Sequence, residues 1–424
     1  MSIINDNHHF KDGGFSNYEN AIQLPRHRWY YYKEGFSPLL VENAIQQVGL
    51  GKDEIVIDPF NGSGTTTLTA TSLGYPSIGV EVNPFTTFLA QTKTKNADSS
   101  EIDKWAEKVL IKSEKGLKSD LLGYSTFSKV KGLDKWLFND SVLKSFEGGW
   151  SETNNIESYN LRRLLRLALI TATMDNCNAR RDGKCLRYRD SWKQYDFDKY
   201  TFLDSLENNI AEIKADVEAQ RLPSISNIYQ GDCRKFLQAK DSFETFKLCI
   251  TSPPYLNTFD YTDIYRPELF LGKFVNDNQE LYNLRLQTVR SHLQAAWDRP
   301  NQSDFGDLYT QNINHLNANL DGLMHKNIPL MVQAYFEDMH QILSILKTKA
   351  QKDAQIWFVV SNSAYADREI PVDLIISDIG SKIGWYLKEI VALRYLKRRK
   401  TRHSPNITQL RESVIIFQAN KSSK

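Results

Sequence analysis

The chain has 424 residues, of which 41% are hydrophobic and 25% charged, with a formal net charge of +2. This composition is ordinary for a folded globular protein, and the length predicts two or three structural units. There is no apolar run of the roughly 20 residues that span a bilayer, no signal peptide and no cysteine spacing typical of disulfides or metal sites. These exclusions predict a cytoplasmic protein without a membrane partner or a metal.

The first clear pattern, at 51–85, alternates short apolar runs with a glycine turn and a helix. EIVID predicts a buried strand, NGSG a tight turn, TTTLTATSLG a helix and PSIGVEV a second strand. This strand–helix–strand spacing favours a parallel sheet.

A helical pattern replaces this rhythm at 97–225, where three segments repeat apolar residues with the period of a helix. Strand patterns return at 226–255, whereas 266–330 is polar and has few clear elements. An amphipathic helix is predicted at 331–347, and a strand, a helix and two closing strands follow it. The sequence therefore predicts an α/β domain with a mainly helical insertion.

The segment DPFNGSGTT places Asp58 at a strand end, before Gly62, Gly64 and the start of a helix. Glycines let the backbone pass close under a ligand, and a helix N-terminus exposes N–H donors. The turn lacks the lysine of a P-loop and the third glycine of a dinucleotide fingerprint. Glu81 follows the next strand, where carboxylates bind ribose hydroxyls. The pattern predicts an adenosine-containing ligand without a pyrophosphate; a plain tight turn is the alternative.

The segment LCITSPPYLN runs an apolar strand into two consecutive prolines and an aromatic residue. Proline has no N–H to donate and fixes φ, so the strand must end there. The segment predicts a rigid, polar and aromatic corner at the strand end.

DPFNGSGTT, GVEVNP, GDCRKFL and TSPPY together resemble the motifs of S-adenosylmethionine-dependent amino-methyltransferases, which methylate exocyclic amines in DNA. The resemblance covers roughly 31–96 and 226–270. It implies a Rossmann-like methyltransferase fold, a mostly parallel seven-stranded sheet with helices on both faces, and S-adenosylmethionine as cofactor. The implied cofactor-binding residues are Phe36, Ser37, Asp58, Phe60, Gly62, Gly64, Glu81 and Asp232. The implied catalytic residues are Ser252, Pro253, Pro254 and Tyr255.

The chemistry of the proline corner agrees with this resemblance. A ring-attached amine is a poor nucleophile, because its lone pair is delocalised, and two acceptors directed at its hydrogens stabilise the pyramidal nitrogen. We expect the Ser252 side chain and the Pro253 carbonyl to supply these acceptors, held rigid by the prolines. We expect Tyr255 to stack on a base that has been flipped out of its duplex.

In the family that the chain resembles, serine at the first motif position tends to accompany N4-cytosine methylation. This serine therefore favours cytosine as the target, with N6-adenine as the alternative. Carbon-5 methylation needs a nucleophilic cysteine, usually in a Pro-Cys pair that this chain lacks. The sequence also leaves open an RNA guanine-N2 or protein-glutamine methyltransferase and a catalytically silent DNA-binding subunit. The expected setting is a restriction-modification system with a possible cognate endonuclease; the sequence indicates no particular oligomeric state.

Double-stranded DNA is the implied partner. Residues 1–96 and 226–424 are predicted to form the cofactor-binding and catalytic halves. The segment 97–225 is a candidate target-recognition region, with a helical subdomain that only covers the sheet as the alternative, and 266–330 is a second candidate DNA-contacting region. A further basic cluster, 397–403, is a candidate for following the DNA backbone, although basic runs also form solvated faces. The candidate DNA-binding residues are Arg180, Arg181, Lys184, Arg187, Arg189, Arg285 and Arg290.

Overall fold

The computed structural model describes residues 4–5, 15, 19–182, 185–239, 245–398 and 400–420. Within these ranges the strands are β1 (Ile4–Asn5), β2 (Val56–Asp58), β3 (Ser77–Glu81), β4 (Ala179–Asp182), β5 (Cys185–Tyr188), β6 (Ser226–Gln230), β7 (Phe246–Thr251), β8 (Ala350–Ser361), β9 (Ser363–Tyr365), β10 (Arg368–Ile370), β11 (Tyr386–Lys397) and β12 (Gln409–Gln418). The α-helices are α1 (Pro38–Val48), α2 (Thr65–Ser72), α3 (Pro84–Lys93), α4 (Ser99–Lys115), α5 (Asp140–Thr153), α6 (Tyr159–Asp175), α7 (Lys199–Ala219), α8 (Cys233–Gln238), α9 (Tyr261–Ile264), α10 (Arg266–Leu271), α11 (Asn278–Arg285), α12 (Asp307–Ala318), α13 (Ile328–Lys349) and α14 (Val372–Ile383).

The central sheet has the strand order β1-β11-β12-β8-β7-β2-β3-β6. Strands β6, β3, β2, β7 and β8 are parallel neighbours, and β12 lies antiparallel between β8 and β11. The predicted Rossmann-like, mostly parallel sheet is therefore confirmed. The short strand β1 adds an eighth member by pairing in parallel with β11.

The order of the parallel strands reverses between β2 and β7. From β2 the chain proceeds outward to β3 and β6, and from β7 it proceeds in the opposite direction to β8. The loops that follow β2 and β7 therefore diverge, and a crevice forms at their carboxyl ends, where ligands bind in open α/β sheets.

Helices cover both faces of the sheet, as expected for buried parallel strands. On one face, Ile342 and Leu346 of α13 share a core with Ile356 and Phe358 of β8. On the other face, Leu40 of α1 belongs to a separate core with apolar residues of β2, β7 and β8. No helix of the described residues is long and apolar enough to cross a membrane.

The segment 97–225 contains helices α4, α5, α6 and α7, which include the three predicted helical segments. It also contains the antiparallel hairpin β4–β5, which the helical periodicity did not predict. The apolar core of this segment is continuous with Phe85 of α3 and Phe270 of α10, so the insertion packs against the sheet domain.

The expectation of few elements in 266–330 was wrong, because α10, α11 and α12 lie there. Helix α12 shows why the pattern was missed. It buries only Tyr309, Asn312 and Leu316, and polar residues fill most of its other positions. Such a narrow buried stripe gives a weak periodic signal.

Candidate active site

The carboxyl ends of four parallel strands surround a cavity of about 440 Å³. Asp58 ends β2, Glu81 ends β3, Asp232 follows β6 and Ser252 follows β7. All four residues line the cavity, since parallel strands bring their carboxyl ends to one edge of the sheet. The volume is in the range of sites that bind small molecules.

The glycine turn after β2 shapes one wall of this cavity. Gly62 has a φ of +48°, and a Cβ at this position would lie 3.3 Å from the Tyr32 ring. Gly64 also has a positive φ, but a Cβ there would lie 2.9 Å from Ala90 in α3. Gly62 is therefore required at the cavity wall, whereas Gly64 serves the packing of α2 against α3, contrary to the expectation of a cofactor contact.

The carboxylate of Glu81 is fixed by the backbone around it. The N–H groups of Gly62 and Asn83 donate to its two oxygens, each at 2.8 Å. Removal from bulk water raises the pKa of Glu81, and these backbone hydrogen bonds oppose the rise. The buried amide nitrogens of Asn61 and Asn83, which also line the cavity, have no hydrogen-bond partner within the described residues. This wall therefore offers both acceptors and unsatisfied donors to a ligand.

Asp58 joins the two halves of the site. Its Oδ1 accepts hydrogen bonds from the Phe60 N–H at 3.0 Å and from the Thr251 hydroxyl at 2.6 Å. Burial raises the pKa of Asp58 to about 7, and the hydrogen bond from Thr251 opposes this rise. Because Thr251 immediately precedes Ser252, the same carboxyl group holds the glycine turn beside the proline corner.

At the proline corner, the Tyr255 hydroxyl donates to Oε1 of Glu412 at 2.8 Å. The Arg394 Nε donates to the other oxygen of Glu412 at 2.6 Å, and these two residues are direct cross-strand partners in β11 and β12. Phe259 and Tyr261 follow the corner, with ring centroids 4.5 Å apart. All five residues line the cavity, which therefore combines aromatic walls with an ion pair whose carboxylate is buried.

Comparisons with known proteins show similarity to DNA methylases. A family model described as DNA methylase matches residues 3–92. The chain is similar to the type II methyltransferase M.BsoBI from Geobacillus stearothermophilus, with 29% identity over 92% of this chain and 85% of that protein. It is 26% identical to the type II methyltransferase M.AvaI from Nostoc sp., over 87% of this chain and 81% of that protein. These matches support a DNA amino-methyltransferase of the N6/N4 family.

A third relative of this methylase is the type II methyltransferase M.MjaII from Methanocaldococcus jannaschii. It is 36% identical over a shorter stretch, which covers 24% of this chain and 19% of that protein.

S-adenosylmethionine is the cofactor of this DNA methylase, and the cavity residues fit it. The cofactor has a cationic methionine end, ribose hydroxyls and a planar adenine. The cavity offers the carboxyl groups of Asp58, Glu81 and Asp232, the unpartnered amides described above and the rings of Phe36 and Phe60. Ser37 was expected to contribute, but it is fully buried and its hydroxyl caps α1 by accepting from the Leu39 N–H.

Three of the predicted DNA-binding arginines are engaged within this methylase. Arg181 forms an ion pair with the buried Glu268, and its guanidinium lies 4.4 Å from the ring centroid of Tyr265. Arg285 pairs with Asp260 at 2.7 Å, and Arg290 pairs with Asp338 at 2.7 Å. The structure therefore does not offer these three predicted DNA contacts as free charges, because each one neutralises a carboxylate that would otherwise be buried and unpaired.

The remaining predicted arginines lie at the surface of the insertion. Arg180 and Arg187 are exposed and face each other across the β4–β5 hairpin, and Arg187 pairs with Asp182 at 3.0 Å. Arg189 is half-buried, and its Nε donates to the Cys177 carbonyl at 2.8 Å. Lys184 lies outside the described residues. Only Arg180 and Arg187 of the described candidates are therefore well exposed.

Sequence reasoning missed several residues of the cavity. Tyr32 stacks on Tyr265 with centroids 5.2 Å apart and forms part of the wall. Arg394 and Glu412 lie on the closing strands, and Glu412 is 157 positions from Tyr255. The one local signal was a single acid that directly precedes the apolar run SVIIF. A charged residue next to a buried apolar strand usually has a functional role or an ion-pair partner.

Proposed function

We propose that this methylase transfers a methyl group from S-adenosylmethionine to the N4 amine of cytosine in double-stranded DNA. The observation that carries the proposal is that Ser252 and Pro253 line the same cavity as Asp58 and Glu81. A methyl donor held by the glycine turn would therefore lie beside acceptors for an amine.

On the cofactor side, each residue has a role that follows from its chemistry. S-adenosylmethionine supplies a methyl group activated by a sulfonium charge. Glu81 accepts hydrogen bonds from the ribose hydroxyls, and the carboxyl group of Asp58 attracts the cationic methionine end. Asp232 would hold the adenine, and Arg234 fixes the Asp232 carboxylate by a hydrogen bond of 2.9 Å. Phe36 and Phe60 exclude water from the site.

On the amine side, Ser252 and the Pro253 carbonyl accept from the two hydrogens of the amine and stabilise the charge that develops on nitrogen. The prolines restrict the backbone, so little reorganisation accompanies the reaction. An amine inside a duplex is out of reach, which requires the base to be flipped into the cavity. Tyr255, Phe259 and Tyr261 offer faces and edges against which a flat base packs.

DNA contact is supported by exposed positive residues near the cavity. Arg394 and Leu396 line the cavity, and the chain continues from β11 into the basic cluster 397–403 at the same sheet edge. Lys397, Lys400 and Arg402 are exposed there. Exposed lysines and arginines at the mouth of a site neutralise phosphates, and we add these three residues to Arg180 and Arg187 as DNA contacts.

The relatives are named type II methyltransferases. We propose the same class for this chain, as the modification partner of a restriction endonuclease. N6-adenine is the second candidate target, because adenine presents a comparable exocyclic amine to the same acceptors.

The test incubates the purified protein with labelled S-adenosylmethionine and either duplex DNA, RNA or protein, followed by mass analysis of the digested nucleosides. We expect N4-methylcytosine from DNA. N6-methyladenine would establish the second candidate instead, and label confined to RNA or protein would refute a DNA substrate.

A matched pair of variants tests the role of the corner. Ser252→Ala is expected to slow single-turnover methyl transfer about 100-fold while leaving the Kd for the cofactor unchanged, because the acceptor acts on the amine. Ser361→Ala is the control, since Ser361 ends the neighbouring strand β8 and its hydroxyl donates to the Asn362 carbonyl. Equal rates for both variants and the parent would remove the proposed role of Ser252.

A further inference from the structure

A second cavity lies beside β6, which is the last strand at its end of the described sheet. Its volume is about 190 Å³, and it shares no lining residue with the catalytic cavity. Helix α3 and the turn after it contribute Gln91 and Lys95, α6 contributes Tyr159 and Arg163, and β6 contributes residues 226–229. No acidic side chain is among the described residues that line it. The wall of this cavity is therefore positively charged.

The charge of Arg163 is held by neutral oxygen atoms only. Its Nη2 donates to the Phe88 carbonyl at 2.9 Å and to Oε1 of Gln91 at 2.8 Å. Its Nη1 donates to the Tyr159 hydroxyl at 2.7 Å, and its buried Nε has no hydrogen-bond partner among the described residues. Removal of a charge from water is costly unless the charge is paired. The half-buried guanidinium therefore leaves a positive charge that an anion would neutralise.

Lys95 adds a second positive charge to the same wall. Its Nζ donates to the Ser226 carbonyl at 3.0 Å, and an ammonium has further N–H groups to donate. Burial and the neighbouring charge of Arg163 lower the pKa of Lys95, so the two cations lie close enough to repel each other. An anion in the cavity would offset this repulsion.

Two hydroxyl groups add uncharged donors. Ser226 is 1% exposed, and its Oγ has no hydrogen-bond partner among the described residues. The Tyr159 hydroxyl accepts from Arg163, so its own hydrogen is available to another acceptor. Buried polar groups in folded proteins almost always have a partner, which makes the Ser226 hydroxyl a sign of a missing ligand. A guanidinium, an ammonium and two hydroxyls suit a phosphate group, whose charged oxygens are strong acceptors.

The adjacent edge of the sheet is closed to a further strand. Nζ of Lys95 occupies the Ser226 carbonyl, and Nε2 of Gln91 donates to the Ile228 carbonyl at 2.7 Å. A strand that paired with β6 would need these carbonyl groups free. The edge therefore favours a ligand that binds side chains over a peptide that extends the sheet.

The cavity also lies apart from the proposed DNA contacts. Helix α3 begins after the carboxyl end of β3, whereas Gln91 lies in its last turn and Lys95 lies just beyond its end. The basic cluster 397–403 follows β11, near the opposite end of the strand order from β6. A small ligand therefore suits the cavity better than the backbone of a bound duplex.

We propose that this cavity binds the phosphate group of a small ligand, which is either free phosphate or a nucleotide. Lys95 and Arg163 neutralise its charge, and the Ser226 and Tyr159 hydroxyls donate to its oxygens. The rings of Tyr159 and Tyr229 are 60% and 40% exposed and offer faces on which a nucleotide base packs. Because α6 belongs to the insertion and α3 to the sheet domain, the ligand stabilises the junction between them. This inference is independent of the proposed function.

The test titrates the full chain with inorganic phosphate in a calorimeter, at constant ionic strength set with sodium chloride. We expect Lys95→Gln to raise the Kd for phosphate about tenfold or more, because it removes a charged donor. Ser226→Ala and Tyr159→Phe should each raise this Kd about threefold, because each removes a neutral donor. Ser226→Ala deletes a hydroxyl without a partner, so its fold should be unaffected.

The matched control is Arg162→Gln. It removes one positive charge from the same helix as Arg163, but Arg162 does not line the cavity. Its Kd for phosphate should stay within about twofold of the parental value, because salt screens charges outside the site. If Lys95→Gln fails to fold, Ser226→Ala and Tyr159→Phe decide.

Thermal unfolding gives a second measurement of the same site. Phosphate stabilises folded proteins in general, so the specific effect is the rise in Tm of the parent beyond that of Lys95→Gln. We expect such an excess for the parent and for Arg162→Gln. Equal rises in Tm for the parent and Lys95→Gln would overturn the site.

Two ligands distinguish the sources of the phosphate group. Cytidine and adenosine monophosphate are titrated in the presence of saturating S-adenosylmethionine, which occupies the catalytic cavity. A nucleotide that binds more tightly than phosphate would identify a nucleotide site, and equal affinities would identify a site for phosphate alone. Phosphate should bind with the same Kd, within about twofold, when the cofactor is present.

Several results would overturn the proposal. These are the absence of phosphate and nucleotide binding, an unchanged Kd in Lys95→Gln, and an equal loss in Arg162→Gln. Displacement of phosphate by the cofactor would place the phosphate in the catalytic cavity instead. Displacement by duplex DNA would identify a contact to the DNA backbone and overturn the assignment to a small ligand.

Discussion

The carboxyl group of Asp58 links cofactor binding to pH. In the free protein, burial raises its pKa to about 7. About nine-tenths of the Asp58 side chains are therefore protonated at pH 6 and about one-tenth at pH 8. S-adenosylmethionine brings positive charge into the cavity that Asp58 lines, and this charge favours the ionised carboxylate. We therefore predict that cofactor binding releases a proton from Asp58.

The magnitude follows from these protonated fractions. If Asp58 is ionised in the complex, binding releases about 0.9 proton at pH 6 and about 0.1 at pH 8. The Kd should then decrease about tenfold from pH 6 to pH 8, which corresponds to about 1.4 kcal/mol. In the protein without cofactor, Asp58 makes stability depend on pH in the opposite direction from cofactor binding. The folded pKa lies above the unfolded value of 3.8, so this group lowers the free energy of unfolding as pH rises from about 4 to 7.

Isothermal titration calorimetry in two buffers with different ionisation enthalpies measures the proton release directly. Asp58→Asn is the matched variant, because it retains the shape and an oxygen that accepts from Phe60 and Thr251. The amino group of the cofactor titrates equally in both experiments, so the difference between the proteins isolates Asp58. Equal proton release by parent and Asp58→Asn at pH 6 would refute this reasoning.

Three further predictions concern other parts of the molecule. Glu81→Ala should weaken cofactor binding at least tenfold by calorimetry, because it removes the acceptor that Gly62 and Asn83 fix; an unchanged Kd would exclude Glu81 from the ribose site. Replacing Lys400 and Arg402 by alanine should reduce DNA affinity and lower the slope of log K against log salt by about one for each phosphate that is no longer neutralised. Arg290→Ala, the control, should leave this slope unchanged. Equal slopes for the double variant and Arg290→Ala would contradict the assignment. Lys93→Met should raise the free energy of unfolding by about 2–4 kcal/mol near pH 7, because burial lowers the pKa of Lys93 from 10.5 to about 7. Between pH 7 and 10.5, Lys93 binds more protons in the unfolded state than in the folded state, so the parent should gain stability as the pH rises. The variant should show a flatter dependence of the free energy of unfolding on pH. Parallel pH dependences for the two proteins, measured by chemical denaturation, would contradict the assignment.

The local chemistry of the chain determined the framework of this methylase. The apolar runs, glycine turn and helix at 51–85 became β2, α2 and β3, and the prolines ended β7 at Thr251 as the sequence predicted. These features depend on neighbouring residues, through backbone geometry and burial patterns of short period. Because these strands are parallel, their carboxyl ends lie at one edge of the sheet. Asp58, Glu81, Asp232 and Ser252 therefore lie at that edge together.

The tertiary structure decided which charged side chains are available and which are paired. Arg181, Arg285 and Arg290 looked like DNA contacts in the sequence, but each meets a carboxylate that is distant along the chain or contributed by another element. Glu412 reached Tyr255 only because β12 runs antiparallel to β8, which places the beginning of β12 at the carboxyl edge of the parallel strands. A sequence pattern shows the local periodicity and polarity of the chain. Charge pairing between distant residues depends on the order and direction of the strands, so only the tertiary structure determines it.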